Sequence, residues 1–251
     1  MTSHFDEGGR SAMQAPALAV LCAGAAQGLV SALQTRFEAQ MGALLALRFG
    51  AVGALKEALL AGQACDVMIV TDAMLASLVG SGQLLAGSRA VLGRVSTALA
   101  VREGETAADI SSTSNLRQVL QAAKTIHFPD PVRATAGIHF VDVLRRLGIH
   151  DQVADQLKTY PNGATAMRAL AASSGAGHVG CTQASEILFT PGLRLLGALP
   201  AGLALATTYS AALAARTHQT ELASAFVELL AGAETLALRT QCGFEFASAK
   251  H

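Results

Sequence analysis

The sequence predicts an α/β protein of two lobes, with mostly parallel sheets, helices on both faces and a ligand cleft between the lobes. Three observations carry this expectation. Short apolar runs alternate with segments whose apolar residues recur every three or four positions, as buried strands alternate with one-faced helices. The junctions between them are small-residue turns, and two such βαβ sets follow one another along the chain. The chain is also large enough: 251 residues, 51% hydrophobic and only 14% charged, supply core for one large domain or two small ones.

In order, Ala17-Leu18-Ala19-Val20-Leu21-Cys22 has the length and continuity of a buried parallel strand. Ala23 to Gly28 is a small-residue turn, and Leu29, Leu33 and Phe37 then give a helix one apolar face. Leu44 to Phe49 is a second strand, Gly50 to Ala54 a second small turn, and Leu55, Leu59 and Leu60 a second helix ending near Gly62. Asp66 to Val70 is a third strand, with Thr71-Asp72 as the start of a helix over Ala73–Val79. Leu99–Val101 is a further strand and Ser114 to Ala123 a helix. The second βαβ set opens with the strand Thr125–Phe128 and the helix Gly137–Leu147. A turn at Tyr160–Thr165, a helix over Ala166–Ser173 and a strand over His178–Gln183 follow. Ala204 to Leu213 is strand-like, and Glu221–Leu230 and Ala233–Thr240 are helical, the second stopped by Gly243. The placement of the strands between the two sets predicts a discontinuous first lobe, residues 1–98 with 206–251, and a second lobe of residues 99–205.

The stretch from Ile126 to Phe140 organises this reading. Pro129 and Pro131 fix φ and remove N–H groups, so the strand ends there. Ala134, Thr135, Ala136 and Gly137 are small enough to let a ligand approach the backbone. The N–H groups of the helix start that follows favour negative charge, and Arg133 adds a cation beside them. An ordinary tight βα turn accounts for the same residues. The other sheet-edge turns place Gly24, Ala25, Ala26, Gly50 and Gly53 where their N–H groups can also meet a ligand. Thr135, Ala136, Thr165 and Gln183 complete the candidate set, the threonines and glutamine as neutral donors suited to a carboxylate.

Composition excludes several classes. Lys plus Arg equals Asp plus Glu at 18 each, so no basic field exists to hold nucleic acid. Aromatics are 4% and Trp is absent, which argues against base-stacking platforms. Cys22, Cys65, Cys181 and Cys242 form no CxxC pair and no zinc spacing, so neither metal nor cofactor is expected. Residues 1–15 read as a disordered leader without the basic and apolar regions of a signal peptide. The expected compartment is the periplasm if a signal was removed, and the cytoplasm otherwise.

The motifs Val20-Leu21-Cys22-Ala23-Gly24-Ala25, Phe49 to Leu55, Gly62 to Ile69, Asp130-Pro131 through Ala136-Gly137, Val179-Gly180 with Gln183, and Cys242-Gly243-Phe244 occur in a telling order. As a set they resemble the periplasmic molybdate-binding proteins, a branch of the type II periplasmic solute-binding proteins, over about residues 17–246. The resemblance implies a periplasmic-binding-protein-like fold that closes on a small anion, acts as a monomer and delivers to the membrane component of an ABC transporter. The two serines by which that family holds its oxyanion fall on Ala25 and Gly53, and a tyrosine falls near Gln183. A buried polar group left unpaired costs about 1–3 kcal/mol, so these losses point to an organic carboxylate in preference to molybdate. The run Gly180 to Gly192 also looks like a wider branch that includes aconitate isomerase-like proteins. An isomerase acting on a small polycarboxylate in the same cleft is therefore the alternative. It needs an acid/base group, for which His139, Cys22, Asp72 and Tyr209 are the candidates, none with an evident partner.

Overall fold

A computed structural model describes residues 15–246, so the leader reading falls, Ala15 apart, outside the described residues. Strand β1 (Ala17–Ala23) pairs in parallel with β2 (Leu44–Gly50) on one side and β3 (Val67–Thr71) on the other. All of β3, and β1 from Val20 onward, is buried, which is why both read as unbroken apolar runs. Helix α1 (Gln27–Met41) lays Leu29, Val30, Leu33 and Phe37 on this sheet. It ends at Gly42, whose φ of 62° lets its N–H return to the Glu38 carbonyl at 3.0 Å, a left-handed closure that costs glycine least. Helix α2 (Val52–Leu60) follows β2, and α3 (Asp72–Gly80) follows β3 with the Thr71 hydroxyl accepting from the Met74 N–H at 3.3 Å.

Strand β4 (Ala90–Arg102) belongs to both sheets. Its first half pairs antiparallel with β9 (Ala206–Leu213), which also pairs antiparallel with β3. Its second half pairs antiparallel with β7 (His178–Gln183) and β8 (Leu193–Ala198). In the second sheet β5 (Thr125–Pro129) lies between β7 and β6 (Leu157–Tyr160), parallel to both. The strand order is β2-β1-β3-β9-β4-β7-β5-β6, with β8 beside β4. The parallel portions match the predicted βαβ sets, and the antiparallel pairs all involve β4 or β9, the strands that link them. Helices α4 (Thr113–Ala122), α5 (Thr135–Arg146), α6 (Gly163–Ala171) and α7 (Ala184–Phe189) belong to the second half. Helices α8 (Thr220–Ala231) and α9 (Leu236–Gln241) return to the first, where Phe226 meets Phe37 edge-on with centroids 4.8 Å apart. Two buried clusters result, one around β1, β3 and α8 and one around Phe128, Phe140 and Leu144.

The structure lengthens or adds several elements. The predicted strand at Leu99–Val101 is the end of a thirteen-residue strand whose apolar run is broken at Gly93, φ 140°, where the pairing with β9 shifts register. Helix α5 starts at Thr135, two residues before the expected Gly137. Gly137 sits inside the first turn because a side chain there would collide with the Pro129 and Asp130 carbonyls. Among the described residues no helix is long and apolar enough to cross a membrane.

A candidate functional site where the two sheets meet

The carboxyl ends of β1, β2, β5, β6 and β7 face a small pocket of about 20 Å³. Ala23, Gly24 and Ala25 line it after β1, and Gly50, Ala51 and Val52 after β2. From the second half come Ala134, Thr135 and Ala136 at the start of α5, and Asn162 and Gly163 at the start of α6. The residues before α2 and α5 are alanines, Ala51 and Ala134, and neither supplies a side-chain cap. Apart from the Gly53 N–H, which donates to the Arg133 carbonyl, the first N–H groups there are left to a ligand or to water. Together with the dipoles of these helices they favour negative charge. At α6 the cap is internal, since Asn162 Oδ1 accepts from the Thr165 N–H and from its hydroxyl, each at 2.9 Å.

The predicted site residues divide accordingly. Gly24, Ala25, Gly50, Thr135, Ala136 and Gln183 line the pocket. Ala26 is buried one residue behind it. Thr165 is spent on the α6 cap and also accepts from Arg168 at 3.2 Å. Gly53 and Arg133 form a contact between the halves: the Gly53 N–H donates to the Arg133 carbonyl at 2.9 Å. A side chain at Gly53 would press on the Arg133 backbone. The Arg133 guanidinium points to the rim, with Nε 3.0 Å from Glu57 Oε1 and Nη1 3.7 Å from Asp130. The Glu57 carboxylate and then that of Asp130 raise its pKa.

Of the acid/base candidates, only Tyr209 lines the pocket. Burial, then the charge of Glu186, pushes its phenol up, while a hydrogen bond with Thr135 opposes them. Cys22 is fully buried in β1, which pushes its thiol up and leaves it inert. His139 Nε2 is engaged with the Leu203 carbonyl at 2.8 Å. Asp72 serves the first sheet. Partial burial works to raise its pKa, but Arg89 at 2.6 Å and the Ser210 hydroxyl at 2.7 Å outweigh it and hold the carboxyl below its usual range. Among the described residues no three His, Cys, Asp or Glu side chains gather as a metal site.

Two side chains give the pocket its chemistry, and sequence reasoning singled out one of them. Gln183, at the end of β7, has both amide atoms buried without a protein partner, so it holds a donor and an acceptor in reserve. Glu186, in the first turn of α7, was missed. It is 6% exposed and lines the pocket. The Thr182 hydroxyl donates to its Oε2 at 2.5 Å. Burial pushes this carboxyl up, opposed by Thr182 and by the N–H groups of Gln183 and Ala164. Gly24 and Gly163 make room for it from opposite sides, since a side chain at either would collide with the carboxyl oxygens. The tail helps to seat α7: Gly243, at φ 88°, lies against Ser185 and Leu188.

A pocket lined by helix starts between two βαβ halves is the arrangement of proteins that close on a solute. The family model for the bacterial extracellular solute-binding proteins matches residues 18–245. The chain belongs to that family. Among its relatives, the aconitate isomerase of a Pseudomonas species is 27% identical over 223 residues, covering 85% of this chain and 82% of that protein. Solved structures share the two-lobed fold of this solute-binding protein. The Azotobacter vinelandii periplasmic molybdate-binding protein superposes with a TM-score of 0.76 at 20% identity, over 92% of this chain and all of that one. The sulfate-binding protein SubI of Mycobacterium tuberculosis H37Rv gives 0.70 at 15% identity, over 93% and 88%. At these identities the likeness speaks for the fold alone. The type II, molybdate-binding-like resemblance read from the motifs is thus borne out.

Proposed function

We propose that this solute-binding protein closes on a small organic anion, a carboxylate in preference to molybdate, between a lobe of residues 1–98 with 206–251 and a lobe of residues 99–205. The observation that carries this reading is the mixture of groups in the pocket. Uncapped helix starts at α2 and α5 favour an anion, while Gln183 and Tyr209 are neutral hydrogen-bonding groups. A tetrahedral dianion wants donors only, and here Ala25 and Gly53 bring no hydroxyl and Glu186 brings a carboxyl. A carboxylate ligand can instead share a proton with a carboxyl held up by burial. On this reading the protein acts as a monomer in the periplasm and delivers its ligand to the membrane component of an ABC transporter.

Calorimetry with molybdate, tungstate, sulfate and a panel of di- and tricarboxylates tests it. Carboxylates are expected to bind, and molybdate weakly or not at all. A submicromolar dissociation constant for molybdate or tungstate would overturn the preference. The alternative, an isomerase of small polycarboxylates, is favoured by one observation, a buried carboxyl inside the pocket, and by the relative named aconitate isomerase.

A further inference from the structure

We propose that Glu186 is a catalytic residue, the group that moves a proton along the allylic system of an unsaturated polycarboxylate bound in this pocket. The inference rests on the carboxylate reading above and adds a reaction to it. Glu186 is the only carboxyl that lines the pocket among the described residues. The fold makes space for it, because Gly24 from the first half and Gly163 from the second both lack the side chain that would exclude it. A carboxyl beside a bound anion opposes binding unless the two share a proton, so binding alone does not call for one at this position. A general base has a use for that position. Burial of Glu186 limits competition from water for the proton, and a carboxyl held above its usual range is a better match to a weakly acidic C–H.

The substrate class follows from the chemistry of one base. It is a polycarboxylate with a methylene between a carbon–carbon double bond and a carboxylate. Ionised Glu186 takes a proton from the methylene, and the C–H electron pair delocalises over the allylic carbons and the adjoining carboxylates. The protonated Glu186 returns the proton to the distal allylic carbon. The double bond has then moved by one position, Glu186 is ionised again, and no oxidant, reductant or co-reactant is consumed. Charge that develops on the carboxylates lies near the starts of α2 and α5 and near Gln183, whose amide atoms have no other partner. The other acid/base candidates do not reach the pocket, except Tyr209, whose phenol is held neutral by its burial.

The test uses the full chain with three probes: cis-aconitate, trans-aconitate and tricarballylate, the saturated analogue that can bind but cannot isomerise. Calorimetry measures binding, and proton NMR in D2O measures deuterium uptake at the allylic carbons and conversion between isomers. The wild type is expected to bind all three and to exchange and interconvert the aconitates. Glu186→Gln keeps the shape and the acceptor for Thr182. It should bind tricarballylate at least as well as wild type while losing exchange by about 10²- to 10⁴-fold, the usual contribution of a general acid or base. Glu186→Asp should recover part of the rate. Exchange at the wild-type rate in Glu186→Gln overturns the assignment. Binding by the wild type with no exchange also overturns it while leaving the carboxylate reading standing, and it needs no variant to fold. If none of the three probes binds, the carboxylate reading falls for this substrate class and the proposal falls with it.

Discussion

Replacing Arg133 by Ala separates two roles for this residue, one at the ligand and one at the closure of the lobes. Sequence reasoning gave Arg133 to the ligand, and a guanidinium desolvated against a carboxylate would lose about tenfold to a hundredfold in affinity on truncation. The structure aims the guanidinium elsewhere. Its Nε is 3.0 and 3.2 Å from the two oxygens of Glu57, across the cleft, and the two side chains are 50% and 60% exposed. Exposed ion pairs contribute little, so losing this one should weaken binding by about fivefold at most. The backbone link between Gly53 N–H and the Arg133 carbonyl survives the substitution. Glu57→Ala should have the same small effect, and the double variant no more than either single one. At about 1 M salt, where screening acts within about 3 Å, the difference should vanish. Dissociation constants of the best carboxylate ligand for the four proteins, at low and high salt, measure all of this. A loss above tenfold in Arg133→Ala, with Glu57→Ala neutral, would refute the rim assignment and return Arg133 to the ligand.

Two further predictions concern stability. His127 lies buried against Tyr160, with Nδ1 2.9 Å from its hydroxyl, and burial, then His178 and Lys158, pushes its pKa down to about 4 from 6.5. The unfolded chain binds the proton first, so stability should fall by about 2–3 kcal/mol as pH drops from about 6.5 toward 4.5. Urea unfolding at both pH values should show a smaller drop for His127→Asn, and an equal drop would contradict this. Gly137→Ala would drive a methyl into the Pro129 and Asp130 carbonyls, which are backbone and cannot turn aside. It should destabilise by about 1–3 kcal/mol in urea unfolding, as overpacking does, and an unchanged midpoint would show that the turn yields freely.

The α/β class was legible because the buried strands announce themselves: β1 from Val20 onward and β3 are buried and, Thr71 apart, carry only apolar residues. Strand β6 was not legible, with four residues of which Lys158 and Thr159 are exposed. Strand β4 was legible only at its end, where Ala98 to Val101 are buried, because Gly93 and Arg94 interrupt the pattern upstream. The small-residue turns located the pocket through Gly24, Ala25, Gly50, Thr135 and Ala136, since parallel strands deliver their turns to one sheet edge. Glu186 escaped because one acidic residue in a short helix usually faces solvent, and its burial depends on glycines 162 and 23 positions away in sequence. The signal available was a charge set inside an apolar stretch directly after Gln183, with Thr182 four residues before it.

The smallness of the pocket governs the order of events in time. A space of about 20 Å³ holds little more than one water, and beside it the Gly53–Arg133 hydrogen bond ties the start of α2 to the residues before α5. A solute larger than that can arrive only after the halves part and can leave only after they part again. Association therefore saturates as ligand is added, with a ceiling set by the protein's own opening rate, a motion of the microsecond-to-millisecond class. Substitutions at the rim thus alter how fast every ligand comes and goes while leaving the choice among ligands to the groups inside.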